Sequence, residues 1–106
     1  MSMGASVVTY TVEKQHADEL HRRVRDHLVP AARQTGGYRG FLLLDQGDDK
    51  RLAILIFDSV ADVAAAQQVI GPVGREHTYA LMSGPAIGSI GTIVVSDGLF
   101  EVSTTP

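Results

Sequence analysis

The sequence predicts an α+β fold with the ferredoxin-like order β-α-β-β-α-β and an antiparallel sheet. Four short segments rich in β-branched and large apolar residues alternate with two segments of helical periodicity. The middle two strands are separated only by a polar, glycine-containing stretch, as a hairpin requires, while the flanking connections pass through helices. The central strands are apolar on both faces, so the sheet needs cover on both sides.

Ser6 to Val12 (SVVTYTV) reads as the first strand from its β-branched and aromatic residues. Met1 to Ala5 reads as a loose start. Ala17 to Thr35 has a helical period, with Leu20, Val24, Leu28 and Ala31 close to one stripe. Gly36-Gly37 supplies the left-handed stop that helix ends favour. Pro30 lies inside this helix; its missing donor and its clash with the carbonyl of Asp26 predict a kink. Tyr38 to Asp45 (YRGFLLLD) is the second strand, Gln46 to Lys50 the hairpin loop, and Arg51 to Asp58 (RLAILIFD) the third strand. Ser59 then caps a helix, with Asp62 three residues on in a variant of the capping box. That helix is expected from Val60 to Ile70, with Val63, Gln67 and Ile70 on one side, and Gly71-Pro72 is expected to end it. Arg75 to Met82 forms a further turn or two, Ser83-Gly84-Pro85 breaks the chain, Ser89 to Ser96 is the last strand, and Asp97 to Pro106 trails off. The 106 residues are expected to form one domain with its core at about residues 6–97.

Leu42 to Leu44, Leu52 to Phe57 and Ile93 to Val95 are unbroken apolar runs. Two helices cover only one face of a four-stranded sheet. The other face is expected to meet a second copy of the chain, giving a homodimer, because a wet apolar face of that size is an aggregation hazard.

The net charge of −3 argues against nucleic acid as a partner, since phosphate neutralisation needs a basic surface. The absence of cysteine removes disulfides, thiolate nucleophiles and thiolate metal sites. The N-terminus carries no signal-like segment, and no run of 18 apolar residues marks a membrane span. A cytoplasmic location is the default expectation.

Four histidines carry most of the candidate chemistry. His16 and His27 are eleven residues apart, roughly 16 Å along a helix axis, and cannot hold one ion; no metal site is expected. His27 borders the apolar stripe between Val24 and Ala31, where imidazole suits a pocket base. His77 is a second candidate base, on a glycine-flanked segment. Tyr10 and Tyr79 are candidate contacts for an aromatic ligand. Arg22, Arg23 and Arg25 interleave with Glu19 and Asp26, as on a solvated helix face. No calcium loop, dinucleotide fingerprint, phosphate loop or serine elbow is present.

The stretches PAARQTGGYRGFLLLD (Pro30 to Asp45) and LAILIFDSVADVAAA (Leu52 to Ala66) resemble the antibiotic biosynthesis monooxygenase family, over roughly Ser6 to Asp97. The resemblance implies a dimeric α+β barrel with a pocket between sheet and helices in each subunit. It implies a small flat hydrophobic or aromatic ligand and, in the enzymatic members, oxidation of a phenol or quinol without a cofactor. Phe57 stands where the family often has tryptophan, and Thr11 where both active patterns place asparagine; the chain contains neither residue type. Phe57 and Thr11 are accordingly candidate ligand contacts. In haem-degrading members an iron-ligating histidine follows a Gly-Pro pair, as His77 follows Gly71-Pro72. The expected reading is thus a cofactor-free ligand-binding barrel that oxidises its ligand. A non-catalytic binding or interaction module is the alternative, and haem binding through His77 is a narrower one.

Overall fold

The computed structural model describes residues 2–98. Strand β1 (Gly4–Thr11) is followed by helix α1 (Lys14–Arg23), a π-helical turn (Val24–Leu28) and helix α2 (Val29–Arg33). Strands β2 (Tyr38–Gly47) and β3 (Lys50–Phe57) form a hairpin. Helix α3 (Val60–His77), a short 3₁₀ turn (Tyr79–Leu81) and strand β4 (Ile87–Thr92) complete the order. The sheet is antiparallel in the order β2-β3-β1-β4, the ferredoxin-like arrangement expected from the sequence.

The hairpin turns on Asp48 and Asp49, both at positive φ (53° and 65°). Two central residues in that region match the right-handed twist of the flanking strands. Helix α2 ends at Arg33, where the Thr35 hydroxyl donates to the Ala32 carbonyl at 2.6 Å, so Gly37, with φ of 82°, shapes the turn into β2 and is not the expected helix stop. A side chain there would also run into the carboxylate of Asp62. The Ser59 side chain accepts from the Asp62 N–H at 3.1 Å, the predicted cap of α3, a contact type worth about 1 kcal/mol.

Pro30 is accommodated differently from the expected simple kink. One turn earlier the helix widens into a π turn, in which the N–H of Val29 bonds the carbonyl of Val24, and Pro30 falls in the first turn of α2, where its missing donor costs little. The wider turn shifts the helical phase by one residue. Ala32, fully buried, takes the core position, and the expected Ala31 is only half-buried.

Gly71-Pro72 does not end α3, which runs on to His77. Gly71 has no Cβ to clash with the proline ring. The carbonyl that loses its partner belongs to Gln68, an exposed residue that water can serve. The last strand also differs from expectation. It starts at Ile87 and stops at Thr92, because its one neighbour among the described residues, β1, begins at Gly4, opposite Thr92. Gly4 and Ala5, expected to be loose, are therefore paired. Val94 and Val95 lie beyond the strand at 87% and 85% exposure and do not contribute to the apolar sheet. Residues 99–106 of the expected tail, and Met1, lie outside the described residues.

All helical segments lie on one face of the sheet. Ala32, Leu55, Phe57, Val63, Ala66 and Ile70 form one buried cluster, and Tyr10, Val12, Ala17, Leu20 and Val24 a second. Leu28 and Phe41 pack against both. On the opposite face the register aligns Leu42 with Ile54 and Val7, and Leu44 with Leu52 and Thr9. Leu42 and Leu44 are each 42% exposed and Ile87 is 67% exposed, so this second face is apolar and open in the single chain.

Candidate functional site

A cavity of about 90 Å³ opens between the sheet and the helices where the two core clusters meet. Its floor is the inner face of the sheet: Ser6, Val8 and Tyr10 of β1, Phe41 and Leu43 of β2, and Ala53 and Leu55 of β3. Strand periodicity puts these on one side, since opposite residues in an antiparallel pair share a face. The wall comes from Val24 and Leu28 of the π turn and from Ile70 and Gly74 of α3, with Thr78, Tyr79 and Met82 beyond it. A shallower depression beside β4 shares Ser6, Val8, Gln67 and Tyr79 with the cavity, which places the entrance there. Tyr79, 47% exposed, stands at that entrance, and its ring lies across Gly74, where an added Cβ would come within 3.3 Å of it.

The lining is mostly apolar, and among its polar side chains Ser6, Gln67 and Thr78 are hydrogen-bonded. Gln67 Nε2 donates to Ser6 Oγ at 3.3 Å. The Thr78 hydroxyl donates to the Gly74 carbonyl at 2.7 Å. Tyr10 differs: its residue is 6% exposed and its hydroxyl has no hydrogen-bond partner among the described residues. Burial raises the Tyr10 pKa above the usual phenol value, opposed by the nearby Arg51 guanidinium, so the phenol stays a proton donor at neutral pH. Arg51, paired with Tyr10 in the β1–β3 register, is itself buried. Its donors are directed elsewhere: Nη1 to Asp45 Oδ1 at 3.0 Å and to the Lys50 carbonyl at 3.1 Å, and Nε to His21 Nε2 at 3.1 Å.

The sequence-derived candidates separate into two groups. Tyr10 and Tyr79 line the cavity. Phe57 does not: it is fully buried in the core, edge-on to Tyr38 with ring centroids 5.9 Å apart. Thr11 faces a separate surface hollow beside Gly84 and Pro85, and its hydroxyl accepts from Ser83 at 2.8 Å. His27 and His77 stack on each other and neither is among the lining residues. His77 closes α3 rather than lying on a loop, because the helix passes through Gly71-Pro72. Ser6, Gln67 and Thr78 escaped the sequence reading. Gln67 carried a usable signal, a polar residue on the same helix side as Val63 and Ile70.

Outside the cavity, Arg22 and Arg23 pair with Glu19, and Arg22 also with Asp26; the two arginines, Arg22 first, hold the Glu19 carboxyl at about 2 through hydrogen bonds. No group of three or more potential metal ligands occurs among the described residues. No helix among them is long and apolar enough to cross a membrane. The residues do not fit haem in this arrangement. His77 does not line the cavity, its Nε2 sits 2.8 Å from Glu76, and the cavity is far too small for a porphyrin.

This architecture, one antiparallel four-stranded sheet with its helices on one face, is shared with solved structures of proteins called antibiotic biosynthesis monooxygenases. No protein-family model and no curated protein sequence matches the chain, but solved structures do. A protein from Nitrosomonas europaea, provisionally named an antibiotic biosynthesis monooxygenase, superposes with a TM-score of 0.73 at 18% identity, covering 92% of this chain and 95% of its own. SnoaB, a cofactor-independent oxygenase from Streptomyces nogalater, superposes with a TM-score of 0.72 at 16% identity, covering 91% of this chain and 97% of its own. NE2512 of Nitrosomonas europaea, a protein of unknown function, gives a TM-score of 0.75 at 16% identity, covering 92% and 94%. At these identities the likeness establishes the fold.

Proposed function

We propose that this chain is a homodimeric binding protein for a small, flat, apolar molecule held between sheet and helices. The observation that supports it most is the cavity itself: an apolar, sheet-floored space with a tyrosine at its entrance and another in its floor. Such concave, mostly apolar sites with a few placed polar groups are the usual form of small-molecule pockets. The dimer reading rests on the open apolar face of the sheet, which a second copy would cover by a two-fold contact. A titration of the labelled protein with naphthalene and with acetophenone, followed by amide shifts, tests the reading. Shifts confined to Val8, Leu28, Ile70 and Gly74 support it; no saturable shift in the cavity with either compound sinks it.

Cofactor-free oxidation of a phenol or quinol is the second reading, favoured by the fold shared with SnoaB. It requires a base beside the ligand. The candidate bases His27 and His77 do not line the cavity, which is why binding is placed first. Oxygen uptake with a panel of quinols and anthrones separates the two. Uptake above buffer that is lost in His27→Ala or His77→Ala would restore the oxidative reading.

A further inference from the structure

The cavity and the depression beside β4 share Ser6, Val8, Gln67 and Tyr79, so the two spaces meet at these side chains. Opposite Val8 in the β1–β4 register stands Gly88, which puts no side chain into the depression and leaves the junction open on that side. No aspartate, glutamate, lysine, arginine or histidine lines either space. Hydrogen bonding at the junction therefore falls to Ser6, Gln67 and Tyr79.

Gln67 comes from the side of α3 that carries Val63 and Ile70. Its one hydrogen bond among the described residues is to Ser6, at 3.3 Å, which is long for a bond of this type. A glutamine side chain has two N–H donors and a carbonyl acceptor, and a serine hydroxyl has one donor and two lone pairs. A single bond between them leaves both a donor and an acceptor unused, whichever way the amide is turned. Ser6 is 3% exposed, so the half-buried Gln67 is the member of the pair that an incoming molecule meets. Unlike the Tyr10 hydroxyl, the unpaired end of Gln67 is not shut off from solvent.

We infer that Gln67 determines the specificity of the site: it selects a ligand whose apolar part lies in the cavity and which carries, at the junction, an uncharged group that both donates and accepts hydrogen bonds, as a carboxamide does. The inference rests on the cavity being a ligand site, as proposed above, and adds the residue that selects and the class of group selected. A carboxylate or an ammonium would bring a charge to a junction lined by no ion of opposite sign, which is costly. A wholly apolar ligand would strip water from the amide and give nothing back, and sites built on hydrogen bonds reject analogues on that ground.

Benzamide, benzoate and α-methylstyrene make the test, since on one ring they carry an uncharged donor–acceptor group, a charge, and no polar group. Binding at neutral pH is followed by amide shifts in wild-type protein and in Gln67→Leu. Benzamide should bind wild type more tightly than benzoate and should shift the side-chain amide signals of Gln67. Gln67→Leu should weaken benzamide about three- to tenfold and leave α-methylstyrene bound at least as tightly as before. Benzamide bound equally by both proteins, or benzoate bound as well as benzamide, overturns the inference and leaves the cavity as a ligand site. Equal weakening of benzamide and α-methylstyrene would make Gln67 a structural residue and would also overturn it. Shifts at the cavity with none of the three probes would overturn the site and the inference together.

Discussion

His27 and His77 lie ring on ring, with centroids 3.9 Å apart and planes 4° from parallel. One comes from the π turn that follows α1, the other closes α3, so the stack ties together the two helical segments that roof the cavity. Arg23 adds a second tie by donating from Nη1 to the His77 carbonyl at 3.1 Å, while its Nε is held by Glu19 at 2.7 Å.

The stack predicts a measurable coupling. In a double-mutant cycle of His27→Ala and His77→Ala at pH 8, unfolding should show a favourable interaction of about 0.5–1.5 kcal/mol, the range for stacked aromatic pairs. An absent coupling would mean the rings do not share the contact in solution.

A pH effect centres on His21. Its Nε2 accepts from Arg51, which requires the neutral ring. Burial first, and then the Arg51 charge, hold its pKa below the usual imidazole value. A depressed folded-state pKa means the unfolded chain takes up the proton more readily. Stability from this group is therefore complete above the unfolded value, about 6.5, and is lost as the pH falls through that value toward the folded one. Urea midpoints should drop between pH 8 and pH 5.5, and His21→Gln should lose less over the same interval. An identical drop in both proteins would place the effect on other groups.

The open sheet face predicts self-association. Native mass spectrometry and sedimentation should give a dimer, and Leu44→Lys, which puts an unpaired charge at each copy of a two-fold contact, should raise the dissociation constant at least about a hundredfold through a cost of several kcal/mol. Leu44 is 42% exposed in the single chain, so the monomer should remain folded, with an unchanged circular dichroism spectrum. A wild-type monomer at micromolar concentration would refute the pairing.

Hemin should produce no shifted Soret band, with the same spectrum for wild type and His77→Ala, because His77 Nε2 lies against Glu76 and the ring stands outside a cavity too small for a porphyrin. A new band present only in wild type would show that the end of α3 rearranges to offer a ligand.

Local chemistry made much of the fold legible. Ser59 with Asp62 marked a helix start and Gln46 to Lys50 a hairpin loop, since each depends on neighbours within a few residues. Local signals failed where tertiary context paid for an exception. Pro72 continues a helix because Gly71 lacks a Cβ and Gln68 faces water, and Pro30 is absorbed by a π turn that moves the core position from Ala31 to Ala32. At the site, Tyr10 and Tyr79 could be singled out as aromatic side chains, but their membership in one cavity depends on a strand and a 3₁₀ turn nearly seventy residues apart in the chain, brought together by α3 and the sheet.

The amino-acid pattern alone specified element order, sheet type and an apolar second face, because periodicity and turn chemistry act over a few residues. Which side chains border the cavity was settled only on folding. The helix phase set by the π turn, the uninterrupted α3 and the strand register together turned Tyr10, Gln67 and Thr78 inward, left Phe57 in the core, and stacked His27 on His77 outside. Those outcomes depend on contacts between segments far apart in sequence, and a single residue of helical phase is enough to change them.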